Sequence, residues 1–275
     1  MMVTKKEIKV AIIDMNDGFP NLGIQGIITI LSLYEKEHGV KLSTAIFDLR
    51  KQNEIPGINH DIYISSGGPG NPLDGESRPW EQSFSQLLDN IEAYNTAHAD
   101  KKHVFLICYS FQLACRKYGV GKITKRNSGV FGIFPVTLTA EGENDIIYKN
   151  LANPFYVIDS RDWQVIDPEG NPFTKQGAQV LAMEKDRPAI DLERCIMSVR
   201  FSKEFVGTQF HPEADPADVK SYLLDQENKE AVILSHGKDK YEAILHHLDN
   251  PNGITRTQKN VLPNFITQAI QSLSN

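Results

Sequence analysis

Long apolar runs are missing from this sequence. The longest run near its middle, residues 104–108, has five members, far short of the roughly 20 that span a membrane. The opening stretch MMVTKKEIKV lacks the apolar core of a signal peptide. Basic charge is in deficit. Lysine and arginine number 29 against 35 Asp and Glu, giving a net charge of −6, so the electrostatic footprint of a nucleic-acid binder is absent. Cysteine is scarce and odd in number: Cys108, Cys115 and Cys195 fit neither a disulfide framework nor a CxxC metal clip. His236, His246 and His247 make no recognisable metal set either. The expectation is a cytoplasmic protein with no membrane or nucleic-acid partner, no metal and no cofactor.

What is present is ordinary for a folded chain. Of 275 residues, 40% are hydrophobic, 9% aromatic and 23% charged. At about 150 residues per domain, that length allows one large domain or one domain with an extension. The first half alternates two patterns. Apolar stretches at 8–14, 42–49, 61–65 and 103–107 read as strands, and 21–38, 80–97 and 109–118 carry helical spacing. Short continuous apolar strands separated by helices indicate a parallel sheet covered on both faces. After Gly119 the stretches 120–126, 133–139, 155–159, 164–167, 178–184, 195–201 and 206–209 read as short strands, a mixed or antiparallel extension. Helical signals follow at 218–228, 240–248 and 257–273, with a turn at 250–253.

Three separated motifs carry chemistry. In LICYSFQ (106–112) an apolar strand ends at Cys108 and a helix begins at once. A thiol on such a turn sits at the carboxyl edge of the sheet. The helix dipole there favours thiolate, and the next backbone N–H can meet an oxyanion. The second motif, SSGGPGNP (65–72), also follows a strand, and its glycines let backbone approach a ligand. No GK[ST] follows, so it is not a P-loop. The third is VGTQFHPE (206–213). Pro212 biases His211 to extended backbone, where residues two apart share a side, so Glu213 can orient the imidazole. Thiol, base and orienting acid together form an activated-nucleophile set. Cys115 and Cys195 read as core filler.

At these residues the sequence resembles the class I, triad-type glutamine amidotransferases. Their motifs are G-x-C-x-G-x-Q, S-x-G-P-G-x-P and Q-F-H-P-E, in the same order. The opening AIIDMNDGFPNL is similar to the anthranilate-synthase branch, and the resemblance runs over about 8–213. It implies an α/β fold, a flavodoxin-like, mostly parallel sheet with helices on both faces. The antiparallel extension and C-terminal helical tail add to it, with the amidotransferase-like domain at 1–215 and a helical extension at 216–275 packed on it. It also implies roles. Cys108 attacks the side-chain amide of glutamine, His211 moves the proton, and Glu213 orients His211. The N–H groups of Gly68 and Tyr109 form the oxyanion hole, and Gly70 and Gln112 shape the substrate pocket. A glutamyl thioester is hydrolysed, and ammonia passes to an acceptor, here a separate synthetase subunit.

The family pattern is broken in three places. Leu106 and Ser110 stand where the family has glycines around the cysteine. The segment Ser160-Arg161-Asp162-Trp163 stands where the family often has S-H-G-D, which keeps Ser160 and Arg161 as candidate substrate contacts. The Cys108-to-His211 spacing is long, which predicts insertions around 144–153 or 167–177. The small-molecule substrate is therefore glutamine, a γ-glutamyl compound or another amide. The alternatives to an ammonia-delivering enzyme are a stand-alone γ-glutamyl hydrolase and an inactive binding or regulatory homologue.

Overall fold

The computed structural model describes residues 7–19, 22–167, 177–186, 193–250 and 253–273. The expected insertion at 167–177 falls largely outside these residues, as do 251 and 252 of the expected turn at 250–253, whose ends are joined by the Gly253 N–H to the Asn250 carbonyl at 2.9 Å.

Among the described residues, nine strands form one sheet in the order β2-β1-β3-β4-β9-β8-β7-β5-β6. Five strands make its parallel half: β1 (Ile8–Asp14), β2 (Leu42–Asp48), β3 (Ile62–Ser65), β4 (His103–Ile107) and β9 (Phe205–Thr208). Their order is that of a flavodoxin-like doubly wound sheet, whose ligands bind beyond the strands' carboxyl ends. Alternate residues point to opposite faces. Val10, Ile12, Ile62, Ile64, Phe105 and Ile107 pack on one side, against α1 (Leu22–His38) and α9 (Ile254–Leu273). Ala11, Ile13, Tyr63, Val104 and Leu106 pack on the other, against α3 (Pro79–Ala97) and α4 (Tyr109–Tyr118). The helix α2 (Leu49–Gln52) is a single turn after β2.

The other half is antiparallel: β5 (Lys122–Leu138), β6 (Phe155–Ile166), β7 (Gln179–Glu184) and β8 (Ile196–Arg200), with α5 (Ala140–Asn144) after β5. Where the sequence reads as two strands at 120–126 and 133–139, one 17-residue strand runs through, its register slipping between Lys125 and Val130. The stretches 155–159 and 164–167 likewise join into β6. Ser160 to Trp163 thus lie inside a strand rather than in a loop. Polar residues are tolerated there because β6 is an outer strand. It folds back over its neighbours through bridges from Ile158 to His211 and from Ile166 to Cys195.

The last quarter is helical. The expected helix at 218–228 is broken at Asp225 into α6 (Pro216–Leu224) and α7 (Gln226–His236), because the Asp225 side chain caps α7 by accepting from the Asn228 N–H. The helices α6, α7 and α8 (Lys238–Leu248) enclose a small cluster of Leu223, Val232, Tyr241 and Ile244 against Ile133 of β5. α9 belongs to the main core: Phe265 is fully buried and meets Phe105 edge-on at 5.1 Å between ring centroids. Among the described residues, no helix is long and apolar enough to cross a membrane.

Candidate active site

Cys108 closes β4 and is the residue from which α4 starts. Its φ of +48° is rare for a residue with a side chain. Strain of this kind persists only where the surroundings over-determine it. Here the Cys108 N–H donates to the Thr208 carbonyl at 2.7 Å, and its own carbonyl accepts the first helical bond from Gln112. Both departures from the family pattern are accommodated. Ser110 ties the turn down, since its hydroxyl accepts from the Ile107 N–H and lies 3.0 Å from the carbonyls of Ser65 and Ile107, to either of which its one proton can be donated. Leu106 pairs in register with Gly207 of β9, where an added Cβ would lie 3.1 Å from the Leu106 Cβ and 2.8 Å from Phe111. The missing side chain at 207 leaves the room that Leu106 and Phe111 fill.

His211 follows β9 and is held by its N–H to the Ile158 carbonyl. Its Nδ1 lies 2.8 Å from Glu213 Oε1, the pairing that the two-residue spacing implies. Glu213 is almost wholly buried. α1 packs tightly against its backbone at Gly26, where a Cβ would sit 2.2 Å from the Glu213 carbonyl oxygen. Burial opposes charge on His211. The Glu213 carboxylate and the hydrogen-bonded Cys108 outweigh it and hold the imidazole well above its usual pKa. Cys108 and His211 meet across Gly67, whose Cβ would fall 2.8 Å from the imidazole Cε1 and 3.3 Å from the Cys108 Cβ.

The glycine loop after β3 presses onto the turn after β1. A Cβ at Gly68 would come within 2.1 Å of the Met15 carbonyl oxygen. Gly70 has a φ of +111°, a conformation open to glycine. Tyr109 is the first residue of α4, and first-turn N–H groups have no partner within their helix. Gln112 does not hang free in the cavity. Its amide donates to the Trp163 carbonyl and to Gln209 Oε1, both at 3.1 Å. Ser160 brings its carbonyl to 3.9 Å from the Cys108 sulfur. Arg161 lines the cavity, but its guanidinium is buried and bonded to both carboxylate oxygens of Asp159. Burial opposes the Arg161 charge and Asp159 more than restores it.

Two further residues join the site that the sequence reading did not select. Gln209 is fully buried and donates to the Cys108 sulfur at 3.6 Å. Its place in QFHPE, two positions before His211, is the signal that pointed to it. Arg50 follows β2 and carries no such signal. Its guanidinium bonds the carbonyls of Met15 and Pro69. It also lies 4.7 Å from the centroid of the Tyr109 ring and 5.2 Å from that of Trp80. It therefore touches the glycine loop and the start of α4 together.

Cys115 and Cys195 are completely enclosed, and burial pushes the Cys195 thiol up to about 11 and Cys115 well above its ordinary value. No group of His, Cys, Asp and Glu able to hold a metal occurs among the described residues. Around Cys108 and His211 opens a cavity of ≈ 590 Å³, within the size range of small-molecule sites. An aligned thiol, imidazole and carboxylate at such a cavity can open a carbonyl–nitrogen bond through a covalent intermediate.

The family description "Glutamine amidotransferase class-I" matches residues 27–231. No curated protein sequence matches the chain. Among solved structures, a glutamine amidotransferase from Thermotoga maritima is similar, at 14% identity and a TM-score of 0.68, over 96% of this chain and 99% of that one. A glutamine amidotransferase from Methylobacillus flagellatus aligns at 13% identity and a TM-score of 0.64, over 97% and 96%. The glutaminase domain of Trypanosoma brucei CTPS, with bound acivicin, aligns at 12% and 0.60, over 96% and 94%. At such identities these structures speak to the fold, while the family match covers most of the chain. The chain belongs to the class-I glutamine amidotransferase family.

Proposed function

We propose that this protein hydrolyses the side-chain amide of glutamine through a thioester on Cys108. The observation that carries the reading is the strained Cys108 turn facing the His211–Glu213 pair. His211 takes the thiol proton, and the sulfur attacks the amide carbon. The carbon–nitrogen bond then breaks, and His211 returns the proton to the leaving nitrogen, releasing ammonia. Water, activated by the same imidazole, opens the thioester to glutamate. Glu213 keeps the ring oriented and favours its charged form. The N–H groups of Gly68 and Tyr109 receive the oxyanion, a contribution of about 3–4 kcal/mol per donor in comparable sites. Gly70, Gln112 and Ser160 shape the acyl pocket. Arg161 acts on it only through the β6 backbone, because its charge is spent on Asp159. Arg50 is a positioning residue that fixes the two oxyanion donors relative to each other.

The catalytic unit is residues 1–215, with the following helices as a packed extension. The three unpaired thiols suit the reducing cytoplasm. Ammonia is delivered to a synthetase on a separate chain. Purified protein is expected to release ammonia from glutamine, alone or with that partner, and Cys108→Ala to abolish the release. Turnover that survives the substitution would rule the thioester out.

A further inference from the structure

The cavity is larger than glutamine needs, and its walls are unequal. Cys108, the glycine loop and Gln112 line part of it. The same cavity is also lined by Val130 and Phe131 of β5, Ile158 of β6, Val219 and Tyr222 of α6 and His236 of α7, an apolar set that adjoins His211. Its place next to the imidazole follows from the chain itself. Ile158 bonds the His211 backbone at 3.0 Å, and α6 begins three residues after Glu213. Phe131 and His236 stack at 5.2 Å with their planes 13° apart, making a flat apolar wall. Burial and Lys240 hold His236 below its ordinary pKa against the pull of Asp162, which disfavours charge on that wall. Tyr222 keeps 43% of its surface exposed although it faces the cavity. Acidic groups, Asp162 and Asp218, also face this space, whereas the guanidinium of Arg161 is already paired.

We infer that this apolar part of the cavity is a subsite for a substituent on the amide nitrogen, and that the protein accepts N-substituted γ-glutamyl amides whose amine part is apolar or aromatic and carries no carboxylate. The inference rests on the proposed thiol mechanism for its direction. An acid that protonates the leaving nitrogen must stand beside it, so whatever that nitrogen bears projects past His211. A preformed apolar wall rewards a hydrophobic substituent by removing it from water. The aspartates disfavour an anionic one. The reaction balances as it does for glutamine: the carbon–nitrogen bond breaks, water adds to the acyl carbon, and the free amine leaves with the proton from His211.

The test separates binding from turnover. Affinities of Cys108→Ser protein for γ-glutamylbenzylamide, γ-glutamylglycine and glutamine are measured by calorimetry. Wild-type protein is then assayed on the same three compounds. The expected result is that the benzylamide binds at least tenfold more tightly than glutamine, with γ-glutamylglycine weaker than the benzylamide. Tyr222→Ala and Phe131→Ala, each introduced beside Cys108→Ser, shrink the gap. Equal affinities, no binding, or a gap that survives both substitutions overturns the subsite. A binding preference without hydrolysis of any amide leaves the subsite standing and removes the proposed chemistry. Hydrolysis of glutamine without the preference does the reverse.

Discussion

The parallel and antiparallel halves of the sheet do different work. In the parallel half, β3, β4 and β9 are buried at every position and helices cover both faces. Their carboxyl ends are therefore fixed, and the thiol, the glycine loop and the imidazole all leave from those ends. In the antiparallel half, β5 is largely half-exposed and slips register near the cavity. It contributes walls rather than reacting groups. The difference teaches where positions are fixed most tightly: Cys108, Gly67 and His211 leave from fully buried strand ends, whereas the half-exposed β5 lends the cavity part of its wall.

This division can be tested by substitution. The largest effect is expected from His211→Ala, a loss of at least about 10⁴-fold in kcat for glutamine, by analogy with other activated-nucleophile sets. A loss below tenfold would place the chemistry elsewhere. Arg50→Met comes next. It is expected to lower kcat by about 10- to 100-fold, less than deleting an oxyanion donor outright. Alkylation of Cys108 by iodoacetamide, which forms no oxyanion, should proceed at the wild-type rate. A parallel drop in both would mean that Arg50 merely supports the fold.

Stability sharpens the comparison further. Gly207→Ala in β9 drives a Cβ to 2.8 Å from Phe111 and 3.0 Å from a backbone carbonyl, and should cost about 1–3 kcal/mol in denaturant unfolding. Gly129→Ala in β5 meets the outer end of the exposed Asp162 side chain at 2.7 Å and the Arg161 carbonyl oxygen only at 4.0 Å, and should stay within about 0.5 kcal/mol. Equal costs would break the contrast between the halves. The smallest effect concerns pH. The pKa of His211 is raised in the fold, so its stabilising share is complete below its unfolded value of about 6.5 and is lost as pH rises through the higher folded value. The stability difference between wild type and His211→Gln should therefore shrink from pH 6 to pH 9. A difference that widens would contradict the pairing.

How much of this was legible in the sequence also follows the two halves. The strand 103–107 and the helix 109–118 coincide with β4 and α4, because continuous apolar residues flanked by a turn leave little choice. The joined strands β5 and β6 were not legible, since polar residues such as Ser160 and Asp162 on an outer strand look like loop. Asp225 looked like a helix surface residue when it is a cap. The motifs pointed to Cys108, His211 and Glu213, and the fold brings all three to one cavity. Arg50 was invisible, because its contacts join segments far apart in the chain. Arg161 offered a charge in the right segment, but only the fold reveals that Asp159, two residues away on the same strand face, has claimed it.

Cys108 can be set directly against its two enclosed counterparts. The protein is treated with a chloroketone analogue of glutamine, with and without excess glutamine, and the modified residue is identified by peptide mass. One adduct per chain, on Cys108, suppressed by glutamine and accompanied by loss of ammonia release, is the expected result. Labelling of Cys115 or Cys195, or full activity in a chain labelled at Cys108, would contradict the assignment of the nucleophile.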